Sequence, residues 1–341
     1  MQQYIVRRIL LNFVVLFLVA TMIFGALRID SDNIVSKLRG GCASGGTTQE
    51  QFDECDRITR LALGLDGSVL SQYGDYMWDL ARFDLGNSAI GNKDPILDEI
   101  KARAPISIEL GMLQIFVALA VALPVGIISA IRQDTWIDYI LRAFSILLLG
   151  IPVFVLAVVV ILLSGRPPFE GTFFQDWFGP QGTYADFVDP FGWTKHESDP
   201  QQNVKNMFAP ALIGGLGTGA VIMRFLRSQM LEVLRQDYVR TAWAKGLKER
   251  VIIVRHALKN ALIPVLTLVG ILLGTIVSGN VVLENIFRLP GVGDYIVFKI
   301  AQTPDYPAVQ GVVIVVALTL VFVNLMIDVA YGWLDPRIRY S

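Results

Sequence analysis

Uninterrupted apolar runs of about twenty residues recur along this chain, too long and too numerous for a water-soluble core. A helix rises about 1.5 Å per residue, so such a run matches the roughly 30 Å hydrocarbon layer of a bilayer. Six spans are predicted at 9–27, 110–131, 143–164, 207 to about 230, 261–283 and 308–327. Composition agrees, since 53% of the 341 residues are hydrophobic and only 17% charged, against about 25% charged in soluble domains. The fold class is an all-α membrane protein.

The fourth span is the difficult one because it carries Arg224 and Arg227, and a charge at mid-bilayer costs about 2.5–3.5 kcal/mol. Both are placed near the cytoplasmic end, the alternative being a shorter span ending at Met223. Orientation follows the short basic segments. Arg7 and Arg8 precede the first span, Arg132 and Arg142 flank the turn after the second, residues 224–259 hold nine Lys or Arg against three acids, and Arg337 and Arg339 come last. With six spans all four groups fall on one side, the cytoplasm, with both termini inside. The first span is expected to be retained, being longer than a signal-peptide core and lacking a small-x-small cleavage site. A net charge of −1 gives no reason to expect nucleic acid as a partner.

These spans divide the chain into an N-terminal tail and first span (1–27), an extracytoplasmic segment (28–104) and a core (105–341). The core includes a second extracytoplasmic segment (165–206) and a basic cytoplasmic segment (231–260). Connections this long normally carry structure. The spacing of Phe52, Ile58, Leu61 and Leu65, then of Val69, Tyr73, Tyr76 and Leu80, predicts two or three short packed helices, with a flexible tip at Gly40-Gly41 and Gly45-Gly46. Cys42 and Cys55 both fall in the first segment, where an oxidising compartment allows a disulfide worth about 2–4 kcal/mol; reduced thiols are the alternative. Gly215 with Gly219, and Gly270 with Gly274, are pairs that let helices approach closely. Pro124 and Pro152 are candidate kinks.

Catalytic chemistry is not in evidence. His196-Glu197 begins like a zinc-protease motif, but Pro200 stands where the second histidine belongs. His256, the other histidine, reads as a surface or packing residue. No metal site is expected. No Gly-Lys-Ser or Gly-Lys-Thr phosphate loop occurs, and the acids nearest the membrane, Glu109, Glu284 and Asp328, sit at span ends, away from where ion-coupled carriers place them. Uphill transport through such spans needs energy from another subunit.

The segment that offers a handle runs DYVRTAWAKGLKERVIIVRHALKNALIP from Asp237 to Pro264. Helix formers Ala242, Ala244 and Lys245 lead up to Gly246, which stops a helix cheaply because it tolerates positive φ. A second amphipathic run starts at Lys248. Asp237 is a reasonable N-cap.

Several ordered motifs then coincide: YIVRRILL near the start, FDLGNSAIGNKDPILDEIKARAPISIELG entering the second span, SQMLEVLRQDYVRTAWAKGL, RHALKNALIPV, NVVLENIFRLPGVG, TPDYPAVQG and DVAYGWLDPRIRYS. Together they resemble the permease subunits of binding-protein-dependent ABC importers of the dipeptide, oligopeptide and nickel group. The resemblance implies the type I importer permease fold, with six spans and a partly helical extracytoplasmic insertion. It implies an ATPase-coupling helix holding Asp237, Tyr238, Thr241, Ala242, Lys245, Gly246 and Leu247, and an external gate or binding-protein loop shaped by Pro290, Gly291 and Gly293. Where the wider superfamily has Glu-Ala-Ala, this chain has Arg240-Thr241-Ala242. Implied partners are a second homologous permease, two ATPase subunits that use ATP and Mg, an extracytoplasmic substrate-binding protein and membrane lipid, with no cofactor in this chain. Peptide is the implied cargo, a nickel chelate or oligosaccharide the alternative. A self-sufficient secondary carrier and an assembly scaffold are the rival readings.

Overall fold

The computed structural model describes residues 2–29, 31–38, 49–90, 94–178, 200–277, 280–301 and 305–334. Among the described residues the chain is helical, with one isolated antiparallel bridge between Asn87 and Pro95. Five helices are long and apolar enough to cross a membrane: Val6–Ala26 within α1 (Gln2–Ile29), α5 (Ile96–Ile131), Asn203–Leu234 within α9 (Pro200–Leu234), Glu249–Gly274, and Tyr306–Ile327 within α15 (Tyr306–Leu334). The pair α6 (Trp136–Gly150) and α7 (Val153–Ser164) supplies a sixth if counted as one broken span.

That break falls at Pro152, one of the two candidate kinks, within the span expected at 143–164. The two helices meet at 94°. Pro152 has no N–H to donate, and its ring pushes the residue before it out of the helical region; Ile151 accordingly sits at φ −92, ψ 118. Pro124 behaves differently, since α5 runs through both it and Pro105 without interruption. Two other bounds move. The fifth span closes earlier than 283, because α12 (Lys259–Val277) ends first and Leu283 belongs to a separate helix, α13 (Val281–Phe287). The second span's helix begins at Ile96, so 96–104, assigned to the external segment, is continuous with it.

The external segment contains α2 (Ser31–Leu38), α3 (Gln49–Ala62) and α4 (Val69–Ala81); the apolar spacing predicted the last two. Ile58, Leu61 and Val69 of that pattern remain exposed. Between α7 and α9 lies α8 (Phe173–Phe178), whose Trp177 and Phe178 meet Phe208 edge-on. Residues 39–48, with Cys42 and the Gly-rich tip, and 179–199, with His196 and Glu197, lie outside the described residues.

The tightest packing joins α5 to α9. A methyl group on Gly215 would come within 2.7 Å of the Val117 side chain, and one on Gly219 within 3.1 Å of the Ala118 carbonyl. Absence of a side chain lets these backbones touch. Ala118, Ala122, Ile222, Leu226, Ala261 and Val265 extend the contact into a buried cluster shared by α5, α9 and α12. On the other side of α12, Gly270 sits against Ile327 of α15. Among the described residues, alternating connections sort to opposite ends: α2 to α4, α8 and residues 280–301 at one, the α5–α6 turn and the segment after α9 at the other.

Candidate functional site

At the second of these ends, α9 is followed by α10 (Asp237–Ala244), a turn, α11 (Glu249–Val251), a π-helical stretch Ile252–Leu258, and α12. The turn is a glycine-terminated helix end. Gly246 has φ +74, its N–H donates to the Trp243 carbonyl at 2.9 Å, and the Leu247 N–H donates to the Ala242 carbonyl at 3.4 Å. This crossed pair satisfies two carbonyls that the helix would otherwise leave open. A residue with a Cβ at this φ costs roughly 1–2 kcal/mol.

One face of α10 is fastened to the rest of the chain. Val239 and Ala242 are buried against Ile252, with Val233 and Leu234 of α9 beside them, and the Asn260 side-chain amide donates to the Tyr238 hydroxyl at 2.8 Å. Ala242 therefore packs inward, and its small size serves the chain's own hinge. Tyr238, Thr241, Trp243, Lys245, Gly246 and Leu247 are exposed, Trp243 at 48%. The N-cap is Gln236, which makes no side-chain capping bond, and Asp237 is instead the first helical residue, 3.5 Å from the Arg240 guanidinium. Sequence favoured Asp237 as the cap on residue type alone; the turn after α9 sets the register one residue earlier.

At the opposite end, Pro290, Gly291 and Gly293 join α13 to α14 (Val292–Ala301). They wrap a carboxylate. Glu284 is fully buried and accepts from the N–H groups of Gly293 at 2.7 Å and Asp294 at 3.3 Å, where the start of α14 favours negative charge. Ser107 of α5 accepts the Val292 N–H at 2.9 Å. Burial pushes the Glu284 pKa up, an effect opposed by the nearby Ser107 hydroxyl and by the N–H groups of Gly293 and Asp294. A methyl group on Gly291 would overlap the Glu284 carboxylate and the Ser107 hydroxyl, and one on Gly293 would reach 2.6 Å from the Val281 Cα. Both glycines are needed for close approach. Their partner Glu284 stood out in the sequence only as an acid near a span end.

A scan against family models matches residues 122–340 to the binding-protein-dependent transport system inner membrane component family. The chain belongs to that family. It is 35% identical to the dipeptide transport system permease protein DppB of Alkalihalophilus pseudofirmus, with both chains covered in full. Identity to a putative peptide transport system permease protein of Brucella abortus is 33%, again over the full length of both. For DppB of Escherichia coli K12 it is 35%, over 82% of this chain and 84% of that one. The chain is thus a membrane permease, a non-catalytic translocation subunit of an ABC importer that works with an ATPase and a binding protein.

Two buried ion pairs brace the permease at its opposite ends, and the sequence singled out neither. Near the α10 end, Asp138 of α6 is fully buried and receives Arg227 of α9 in a forked bond, Nε to Oδ1 at 2.9 Å and Nη2 to Oδ2 at 2.7 Å. The Ser129 hydroxyl and the Asp134 N–H also donate to Asp138, and Arg142 lies 3.4 Å away. Arg227 is therefore tolerated in an apolar helix by pairing as well as by position near a span end; α9 continues unbroken to Leu234. At the other end the buried Asp305 takes Lys299 at 2.9 Å, the Ser88 hydroxyl, and the N–H groups of Ala89 and Ala308 at 3.2 and 3.3 Å. It ties the FDLGNS segment to the head of α15. Charge spacing gives no signal for the first pair, because Asp138 and Arg227 are 89 residues apart; Lys299 and Asp305 are only 6 apart, but Ser88, which shares that buried site, is 217 residues from Asp305.

Proposed function

We propose that this permease forms half of the translocation pathway of a peptide importer, dipeptide or oligopeptide, with a second homologous permease lining the other half. Two ATPase subunits, carrying ATP and Mg, dock below the permease pair, one of them on α10, at the cytoplasmic face of a bacterial or archaeal plasma membrane, and both termini lie on that face. The loop 290–293 lies at the external gate, where the binding protein delivers cargo. ATP-driven closure of the ATPase pair pushes on α10 and tilts the spans between inward-open and outward-open states. Cys42 and Cys55 pair in the external segment.

One observation carries this reading. Helix α10 and the turn after it expose Tyr238, Trp243 and Leu247, while Val239 and Ala242 key the helix to α9 and the π-helical stretch. Exposed aromatics suit a protein contact, and the buried side transmits displacement into the spans. Peptide as cargo rests on the names of the relatives.

The test is co-purification of the ATPase subunits with Trp243→Glu and Leu247→Asp variants. Both positions are exposed, so membrane insertion should persist while ATPase recovery falls at least about tenfold, the loss expected for about 1.4 kcal/mol or more at an interface hot spot. Undiminished recovery overturns the docking assignment, and transport by the isolated chain without nucleotide overturns the importer reading.

A further inference from the structure

The external helix α4 has an apolar side that is exposed among the described residues. Round its circumference, Gln72, Tyr76 and Leu80 face the protein, Ser71, Asp75 and Asp79 form an exposed polar stripe, and Leu70, Gly74 and Trp78 form an exposed stripe of low polarity. Leu70 is 81% exposed and Trp78 59%. Just past the helix end Phe83 is 66% exposed and held at φ +59, a conformation uncommon for a bulky residue.

Contacts with two spans set the depth of this helix. On α1, Tyr73 hydrogen-bonds Thr21 at 2.8 Å and meets Phe24 edge-on with ring centroids 5.1 Å apart, and Gln72 accepts from Arg28 at 3.2 Å. The apolar stretch of α1 ends at Ala26, so Thr21 lies about 7.5 Å inside its end at 1.5 Å per residue. On α15, whose span starts at Tyr306, Leu85 packs against Gly311. Helix α4 and the turn after it thus lie across the ends of two spans, at the level where hydrocarbon gives way to headgroups. The outer face of α1 beside it, with Phe17, Leu18 and Met22, is exposed and apolar.

We propose that α4 and Phe83 form an interfacial anchor, with Leu70, Trp78 and Phe83 inserted among the phospholipids of the leaflet distal to α10. The residue types suit that layer. Tryptophan favours the headgroup level, with its ring in the apolar zone and its N–H toward water. The Arg82 guanidinium lies 4.4 Å from the centre of the Trp78 ring, from which a long side chain reaches lipid phosphate. The polar stripe of Ser71, Asp75 and Asp79 then faces water, as an amphipathic helix lying in the interface requires. The anchor would hold the external segment against the bilayer while the spans tilt, and it does not depend on what docks at α10.

The experiment uses the full chain in nanodiscs of phosphatidylcholine and phosphatidylglycerol. Emission lost in Trp78→Phe isolates the Trp78 signal. Lipid spin-labelled near the headgroup should quench that signal at least about twofold more than aqueous iodide does, as an indole at the interface requires. Leu70→Asp, which leaves the packed side intact, should lower the lipid quenching about twofold. Quenching by iodide alone, quenching by neither agent, an unchanged response in Leu70→Asp, or shielding of Trp78 by added binding protein would each overturn the proposal.

Discussion

The bond between Asp138 and Arg227 offers the most quantitative test of how the spans are held together. Asp138 has no exposed surface, and Arg227 exposes 18% of its side chain. Breaking a buried pair by removing one partner costs about 3–5 kcal/mol, because the remaining charge is left uncompensated. Here the lower part of that range applies. Asp138 would keep the Ser129 hydroxyl, the Asp134 N–H and the Arg142 guanidinium at 3.4 Å, and Arg227 would regain some solvent, so each single change should cost about 3 kcal/mol. The changes are Asp138→Asn and Arg227→Met, made singly and together. Detergent-induced unfolding in mixed micelles, followed by tryptophan emission, gives the free energies. The double variant should be less destabilised than the sum of the singles by about 1.5–3 kcal/mol. Additivity within about 0.5 kcal/mol would show that the pair does not couple α6 to α9, refuting its role as a brace.

Two further outcomes are expected. Burial raises the pKa values of Glu284 and Asp294, so the native state binds their protons more tightly than the unfolded chain does; this contribution to stability is greatest at acid pH and fades as pH rises through the native-state values. Glu284→Gln should flatten that decline in a pH series of thermal unfolding, and an unchanged slope would refute the buried-carboxylate account. Alkylation of the denatured, unreduced protein should leave Cys42 and Cys55 unmodified by mass spectrometry, with both labelled only after reduction; labelling before reduction would show free thiols.

The spans were legible in the sequence because each is a local property: length and hydropathy decide whether a segment can cross a bilayer, whatever it packs against. Gly246 was legible for the same reason, since a run of helix formers ending in glycine carries its own stop. The direction of Ala242 was not, because a small side chain fits either an interface or an interior, and only the approach of Ile252 decides between them. Pro124 and Pro152 look equivalent in sequence, yet α5 is supported along its length by α9 and passes through its proline, whereas Ile151 and Pro152 mark a right-angled break.

The sequence by itself determined that this is a polytopic helical permease with a glycine-broken basic arm, since hydrophobic period, charge placement and motif order act within short stretches of chain. Only the tertiary structure decided which side of α10 faces outward, that Pro290 to Gly293 close around Glu284, and that Asp138 with Arg227 and Asp305 with Lys299 brace opposite ends. The physical reason is that burial of a charge depends on distant segments even where its partner is near: Arg227 reaches Asp138 across 89 residues, Ser88 reaches Asp305 across 217, and Ser107 meets Val292 beside Glu284 across 185, and local pattern holds no record of which distant segments will meet.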